Sequence, residues 1–165
     1  MHAIADIINF LETLAPLHLQ ESYDNSGWVV GDPEQVCNGV LTALDLTLEV
    51  MDEAIEKNLN LIVVHHPPIF KGLKQILPSN PISRMLTKAI KSDLCVYAIH
   101  TNLDNSHLGV NYWMAEKLGL DLPLPQQYAQ WIGGLFQGDL GFSYVSEKPV
   151  LDEIAPRIPI TARLA

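Results

Sequence analysis

Three short apolar runs, separated by segments of helical periodicity, constrain this chain more than any other feature. The runs are Val40-Leu41-Thr42-Ala43-Leu44-Asp45, Leu61-Ile62-Val63-Val64 and Leu94-Cys95-Val96-Tyr97-Ala98-Ile99. Runs this short and this uniformly apolar predict strands covered on both faces. Between them, Leu48, Met51, Ala54 and Ile55 recur at helical spacing, and so do Ile82, Met85, Leu86, Ala89 and Ile90. Thr47 is placed to cap the first of these helices, and Pro81 suits the first turn of the second. Val110, Trp113, Met114 and Leu118 mark a third helix, stopped by Gly119. The predicted order is β(40–45), α(47–58), β(60–66), α(81–92), β(94–100), α(108–118). Each crossover is long enough for a parallel connection. The fold class predicted is α/β, a mostly parallel sheet covered by helices.

The flanking segments read less sharply. Ile4, Ile7, Ile8, Leu11 and Leu14 predict an amphipathic helix over residues 3–14, ended by Pro16. Tyr23-Asp24-Asn25-Ser26-Gly27-Trp28 reads as an Asx turn feeding a short strand at Trp28-Val29-Val30-Gly31. After residue 119 the texture changes. Asp121-Leu122-Pro123-Leu124-Pro125 reads as a linker, and the glycines among apolar residues in 131–146 suggest one or two strands. Val150-Leu151-Asp152-Glu153-Ile154 reads as the start of a helix closed by Pro156, and Ile158 to Ala165 shows no periodicity. The expected division is a domain at 1–120, followed at 121–165 by a linker and an incomplete second-domain segment.

Composition excludes some functions. The net charge of −9 disfavours a nucleic-acid-binding surface, which needs clustered Lys and Arg. No apolar run is long enough to span a bilayer, and the N-terminus lacks the basic and apolar regions of a signal peptide. Cys37 and Cys95 lie in different segments without ligand-like spacing and read as buried free thiols. A reducing cytoplasm is the expected location, with neither nucleic acid nor membrane as partner.

Chemistry gathers at the strand ends. Parallel strands deliver their C-terminal ends to one edge of the sheet, where α/β proteins bind ligands. Here those ends carry Asp45, the pair His65-His66, and His100 followed by Asp104. Pro67 and Pro68 stop the middle strand and hold its end extended. Imidazole and carboxylate together suit a divalent cation. Adjacent histidines in a regular strand point to opposite faces. Either the strand end twists, or the two rings serve two ions, with Asp104 as a bridge. Two close metals activate a water and stabilise a leaving oxygen, the chemistry of metal-assisted hydrolysis. Ser26 and Ser106 lack a nucleophile-elbow context, and Lys71 and Lys74 read as a solvated loop. There is no phosphate-binding glycine loop and no dinucleotide fingerprint.

Four motifs in order carry a family resemblance: Tyr23-Asp24-Asn25-Ser26-Gly27, Ala43-Leu44-Asp45-Leu46-Thr47, Val64-His65-His66-Pro67-Pro68-Ile69-Phe70, and His100-Thr101-Asn102-Leu103-Asp104. The chain resembles the Nif-three-like family, also called GTP cyclohydrolase I type 2 homologues. The resemblance implies a two-domain α/β protein with a dinuclear metal site in a cleft, assembled as a toroidal homohexamer. By position, His65, His66 and Asp104 fall on family metal ligands. Asp45, Asn25 and His100 fall on motif positions lining the same cleft. No residue is assigned a catalytic role. Family members are longer, and their C-terminal half supplies a further His and Glu one helical turn apart. No histidine follows His107 here. The chain thus resembles the N-terminal half of the family fold. Its unpatterned tail, Ile160-Thr161-Ala162-Arg163-Leu164-Ala165, reads as an ending inside the second domain.

The expected function is a metal-dependent hydrolase of a small substrate, a nucleotide or another phosphorylated or cyclic amide compound. The alternative is a metal-binding regulatory or assembly protein without catalysis. The third reading is a histidine pair that merely caps a strand. One or two divalent cations per chain are expected; zinc, manganese, iron, nickel and cobalt all suit the ligands.

Overall fold

Strand β3 (Leu61–Val64) is buried at every residue. It pairs in parallel with β2 (Val40–Ala43) on one side and β4 (Cys95–Ala98) on the other. Ala43, Val64 and Ala98 lie level, so all three strands end at one edge. A fourth strand, β1 (Gly27–Val30), joins β4 antiparallel, giving the order β1-β4-β3-β2. The structure is a computed structural model, and it describes residues 2–143 and 145–159.

Both faces of this sheet are covered. Helix α1 (Ile4–Leu14) lays Ile4 and Ile8 against Leu61, Val63, Cys95 and Tyr97. On the other face, Ile62, Val64, Val96 and Ala98 meet Met51 and Ala54 of α2 (Leu48–Glu56) and Ala89 of α3 (Pro81–Lys91). Alternate strand side chains thus enter two different cores. That explains why the apolar runs show no alternation. Each fully buried aliphatic side chain contributes about 1.5–3 kcal/mol, so the two central strands dominate the stability of this layer.

The helix ends follow the sequence signals. Thr47 caps α2 by accepting from the Val50 N–H at 3.2 Å. Asn80 caps α3 by accepting from the Ile82 N–H at 2.8 Å, with Pro81 in the first turn. The buried stripe of α3 is rotated from the expected one. Ser83, Leu86 and Ala89 are buried, whereas Ile90 faces solvent. Apolar periodicity locates a helix face only to within one residue's turn, about 100°. Helix α5 (Val110–Lys117) forms as expected, but none of its residues is buried.

The chain divides into two compact units, Met1–Met114 and Ala115–Ala165. In the second, Gly119 adopts a left-handed φ of +67° after the helix end. Of the one or two strands expected within residues 131–146, one forms among the described residues, at 142–143, while residues 131–136 and the end of the expected linker at Asp121–Pro125 belong to one helix. Helix α6 runs Leu124–Phe136 through Gly133 and Gly134. Pro125 is tolerated there because a first-turn residue has no intrahelical N–H bond to lose. A short antiparallel pair follows, β5 (Phe142–Ser143) with β6 (Lys148–Pro149), and then α7 (Val150–Ile154). The expectation for the tail at Ile160–Ala165 lies outside the described residues. Among the described residues no helix is long and apolar enough to cross a membrane.

Candidate metal centre

His65 and His66 follow β3 in a bend rather than in the strand itself. Their backbone N–H groups still bond across to Ala43 and Leu44, at 3.1 and 2.8 Å. Because the strand ends at Val64, the alternation of side chains no longer applies. The two rings turn toward each other, with centroids 5.0 Å apart. Of the two sequence options, the twisted strand end is the one found. His100, two residues beyond β4, adds a third ring 5.1 Å from His65 and 5.7 Å from His66. One ring nitrogen from each of the three lies within 4.8 Å of the others.

Each ring is oriented by an oxygen. His65 Nδ1 meets the Ile99 carbonyl at 2.9 Å, His66 Nδ1 meets Asp45 Oδ1 at 2.8 Å, and His100 Nδ1 meets Asp24 Oδ1 at 2.9 Å. A carbonyl or carboxylate oxygen only accepts, so every Nδ1 carries the proton. In the neutral ring Nε2 then carries the lone pair. Metal-ligating histidines use this arrangement, the outer hydrogen bond fixing the tautomer and raising ligand basicity.

Asp104 arrives on a short helix that the sequence did not announce, α4 (Thr101–Asp104). Its Oδ1 stands 3.9 Å from His65 Nε2. The helix is fastened from below. Buried Asn102 donates to the Ala15 carbonyl at 2.7 Å and accepts from the His100 N–H at 2.9 Å. Ser106 donates to the Leu14 carbonyl, and Asn105 to the Leu19 carbonyl. The end of α1 and the turn after it therefore set the height of His100 and Asp104. Three imidazoles held through Nδ1 and one adjacent carboxylate form a donor set suited to a divalent cation.

A family model described as Duf34/NIF3 (NGG1p interacting factor 3) matches residues 2–158. The chain belongs to this family. A Clostridium acetobutylicum protein named "GTP cyclohydrolase 1 type 2 homolog" is 42% identical over 118 residues, 72% of this chain and 44% of that protein. A Staphylococcus aureus protein of the same name is 46% identical over 117 residues, 71% of this chain and 32% of that protein. The structure of a Bacillus cereus protein related to NIF3 superposes with a TM-score of 0.67 at 40% identity, covering 72% of this chain and 33% of that one. The chain thus spans between a third and just under half of these relatives' length.

Within this NIF3-family site, the structure brings His65, His66 and His100 together and sets Asp104 beside His65. Asp45 stands behind His66 and holds it. Asn25 donates to the Ile69 carbonyl at 2.7 Å and so ties down the loop after the histidine pair. Ser26 and Ser106 are hydrogen-bonded into the scaffold.

Asp24 was passed over by sequence reasoning as part of an Asx turn. Its side chain is fully shielded from solvent. Burial pushes its carboxyl up, but hydrogen bonds from Thr101, His100, Ser26 and the Asn25 N–H outweigh this and hold it well below the usual carboxylate range. The sequence signal was its place in the Tyr23–Gly27 motif. Its partners, His100 and Thr101, lie over seventy residues away and could not be read from spacing.

Proposed function

We propose that His65, His66, His100 and Asp104 hold a divalent metal ion, one or two per chain, and that the loaded site hydrolyses a small substrate. The observation that carries this is the common orientation of the three rings, each with Nδ1 bonded to an oxygen. A histidine pair serving only as a strand cap has no need of three such contacts. When bound, a divalent ion supplies Lewis acidity that activates water and stabilises a leaving oxygen. The chain's own groups supply orientation: Ile99, Asp45 and Asp24 hold the rings, and α4 holds the carboxylate. His66 and Asp45 are largely exposed, so a small molecule reaches the centre without disturbing the core. With a net charge of −9, an anionic substrate needs the cation to draw it in.

The substrate class we favour is a nucleotide or another phosphorylated or cyclic amide compound. The relatives' name, "GTP cyclohydrolase 1 type 2 homolog", makes GTP the first compound to assay. The family resemblance supports a homohexamer, with the metal-carrying domain at residues 1–120. Two free cysteines support a cytoplasmic location.

The test is metal content per chain by elemental analysis after exhaustive desalting, beside His66→Ala. Near-stoichiometric metal in the parent, lost in the variant, supports the reading; no metal in either overturns it. GTP turnover with and without added divalent ions then tests the hydrolytic half. A second reading, a metal-binding protein that serves assembly, draws on the partner-derived family description. Under it, Asp104→Ala loses metal while partner binding survives.

A further inference from the structure

We infer that Asp24 is the positioning residue of this centre: one carboxylate fixes the tautomer of His100 and caps the helix that carries Asp104. For its affinity readout this rests on the metal reading above. For its tautomer readout it rests on hydrogen-bond geometry alone.

Five donors converge on the two oxygens of Asp24. Oδ1 accepts from His100 Nδ1 at 2.9 Å and from the Asn25 N–H at 2.7 Å. Oδ2 accepts from the Thr101 N–H at 3.1 Å, the Ser26 hydroxyl at 2.8 Å and the Thr101 hydroxyl. The Thr101 hydroxyl in turn accepts from the Glu21 N–H at 2.9 Å, extending the network to the turn before Asp24. Oδ2 thus satisfies an otherwise orphaned first-turn donor of α4, as a helix-capping side chain does. The acceptor comes from a segment more than seventy residues away.

The consequence for His100 is specific. Four other donors already point at the Asp24 oxygens, so the carboxylate accepts from His100 as well: Nδ1 carries a proton, and the neutral ring presents its Nε2 lone pair to the cluster. His65 meets a backbone carbonyl, and His66 meets a largely exposed carboxylate. Of the three outer contacts, only that of His100 is to a carboxylate wholly shielded from water. One residue thereby controls the direction of the third ring and the starting point of the helix that ends in Asp104.

Asp24→Asn separates the two roles. Three donors hold the oxygen at the Oδ2 position, so the amide oxygen keeps the cap of α4. The amide NH2 then faces His100 Nδ1 and requires that nitrogen to accept, at the cost of leaving the Asn25 N–H without its acceptor. The imidazole proton moves to Nε2 and the lone pair is lost from the cluster.

The experiment is a long-range nitrogen–proton correlation spectrum of the histidine rings in metal-free protein, with zinc affinity measured by chelator competition. The parent is expected to show His100 protonated at Nδ1. Asp24→Asn is expected to show it protonated at Nε2 and to bind zinc about 10–100-fold more weakly, the usual loss for an outer-shell partner. Thr101→Val removes one hydroxyl and leaves the His100 contact, so it should keep the tautomer and an affinity of the same order. Circular dichroism checks the fold of both variants. A parent His100 protonated at Nε2 overturns the inference without recourse to any variant. So does an Asp24→Asn protein with the parent tautomer or parent affinity. A parent that binds no zinc sinks the metal reading, and the ring spectra still decide the role of Asp24.

Discussion

Nε2 of His65 and Oδ1 of Asp104 stand 3.9 Å apart. The separation is too long for a hydrogen bond. Two metal–ligand bonds of about 2.1 Å meeting at a tetrahedral angle span about 3.4 Å, so a shift of about half an ångström lets both atoms reach one ion. Asp104→Ala should therefore weaken zinc binding by about 100-fold or more, exceeding the ~10–100-fold of a supporting contact. Chelator competition measures it; an affinity equal to the parent's would remove Asp104 from the ligand set.

Asn102 couples stability to the site. It is fully buried and joins His100 to the end of α1 through the Ala15 carbonyl. Asn102→Ala strands a buried carbonyl and an N–H, at about 1–3 kcal/mol for each group left unsatisfied. We expect a loss of about 2 kcal/mol or more in urea unfolding, together with weaker metal binding. A stable variant with unaltered affinity would show that α4 keeps its place without the α1 contact.

Tyr97 predicts an alkaline limit. It is fully buried and donates to Glu12 Oε1 at 2.7 Å. Burial first, and then the Glu12 hydrogen bond and charge, push its phenol well above the ordinary tyrosine value. The folded protein thus holds this proton more tightly than the unfolded chain. The stability it contributes is complete below about pH 10 and drains away as pH climbs further. Tyr97→Phe should be less stable by about 1–3 kcal/mol at neutral pH. The gap to the parent should narrow above pH ~10, and unfolding curves at pH 7 and 11 should show it. A gap independent of pH would mean that the folded protein does not hold the phenol's proton more tightly than the unfolded chain.

Gly31 tests the close approach of β1 to β4. Its φ is +118°, and a Cβ there would lie 2.4 Å from Cys95 Sγ and 2.6 Å from Cys95 Cα. The first obstacle is a strained backbone and the second is a clash with backbone, each costing about 1–3 kcal/mol. Gly31→Ala should lose about 2–5 kcal/mol on denaturant unfolding. A loss below about 1 kcal/mol would show that β1 lifts away from β4 at little cost.

The sequence by itself determined the layer: three parallel strands, the two helices between them, and the edge at which their ends gather. Those features are local. Apolar runs, helical periodicity and capping residues such as Thr47 and Asn80 act within a few residues of where they stand. The sequence also supplied the histidine pair, His100 and Asp104 as ligand types, and the four motifs behind the family resemblance.

Tertiary structure decided how those groups face one another. His65 and His66 share a side because β3 stops at Val64, two residues before the predicted strand end at His66. Helix α6 overrode glycines that read as strand and loop. Asp24 became the group behind His100 through contacts across seventy-six residues, a distance no spacing rule spans. The physical reason is common to all of these. Propensity and periodicity fix an element, but ring direction and tautomer depend on acceptors, and carboxylate ionisation on donors, that only the folded chain brings within about 3 Å.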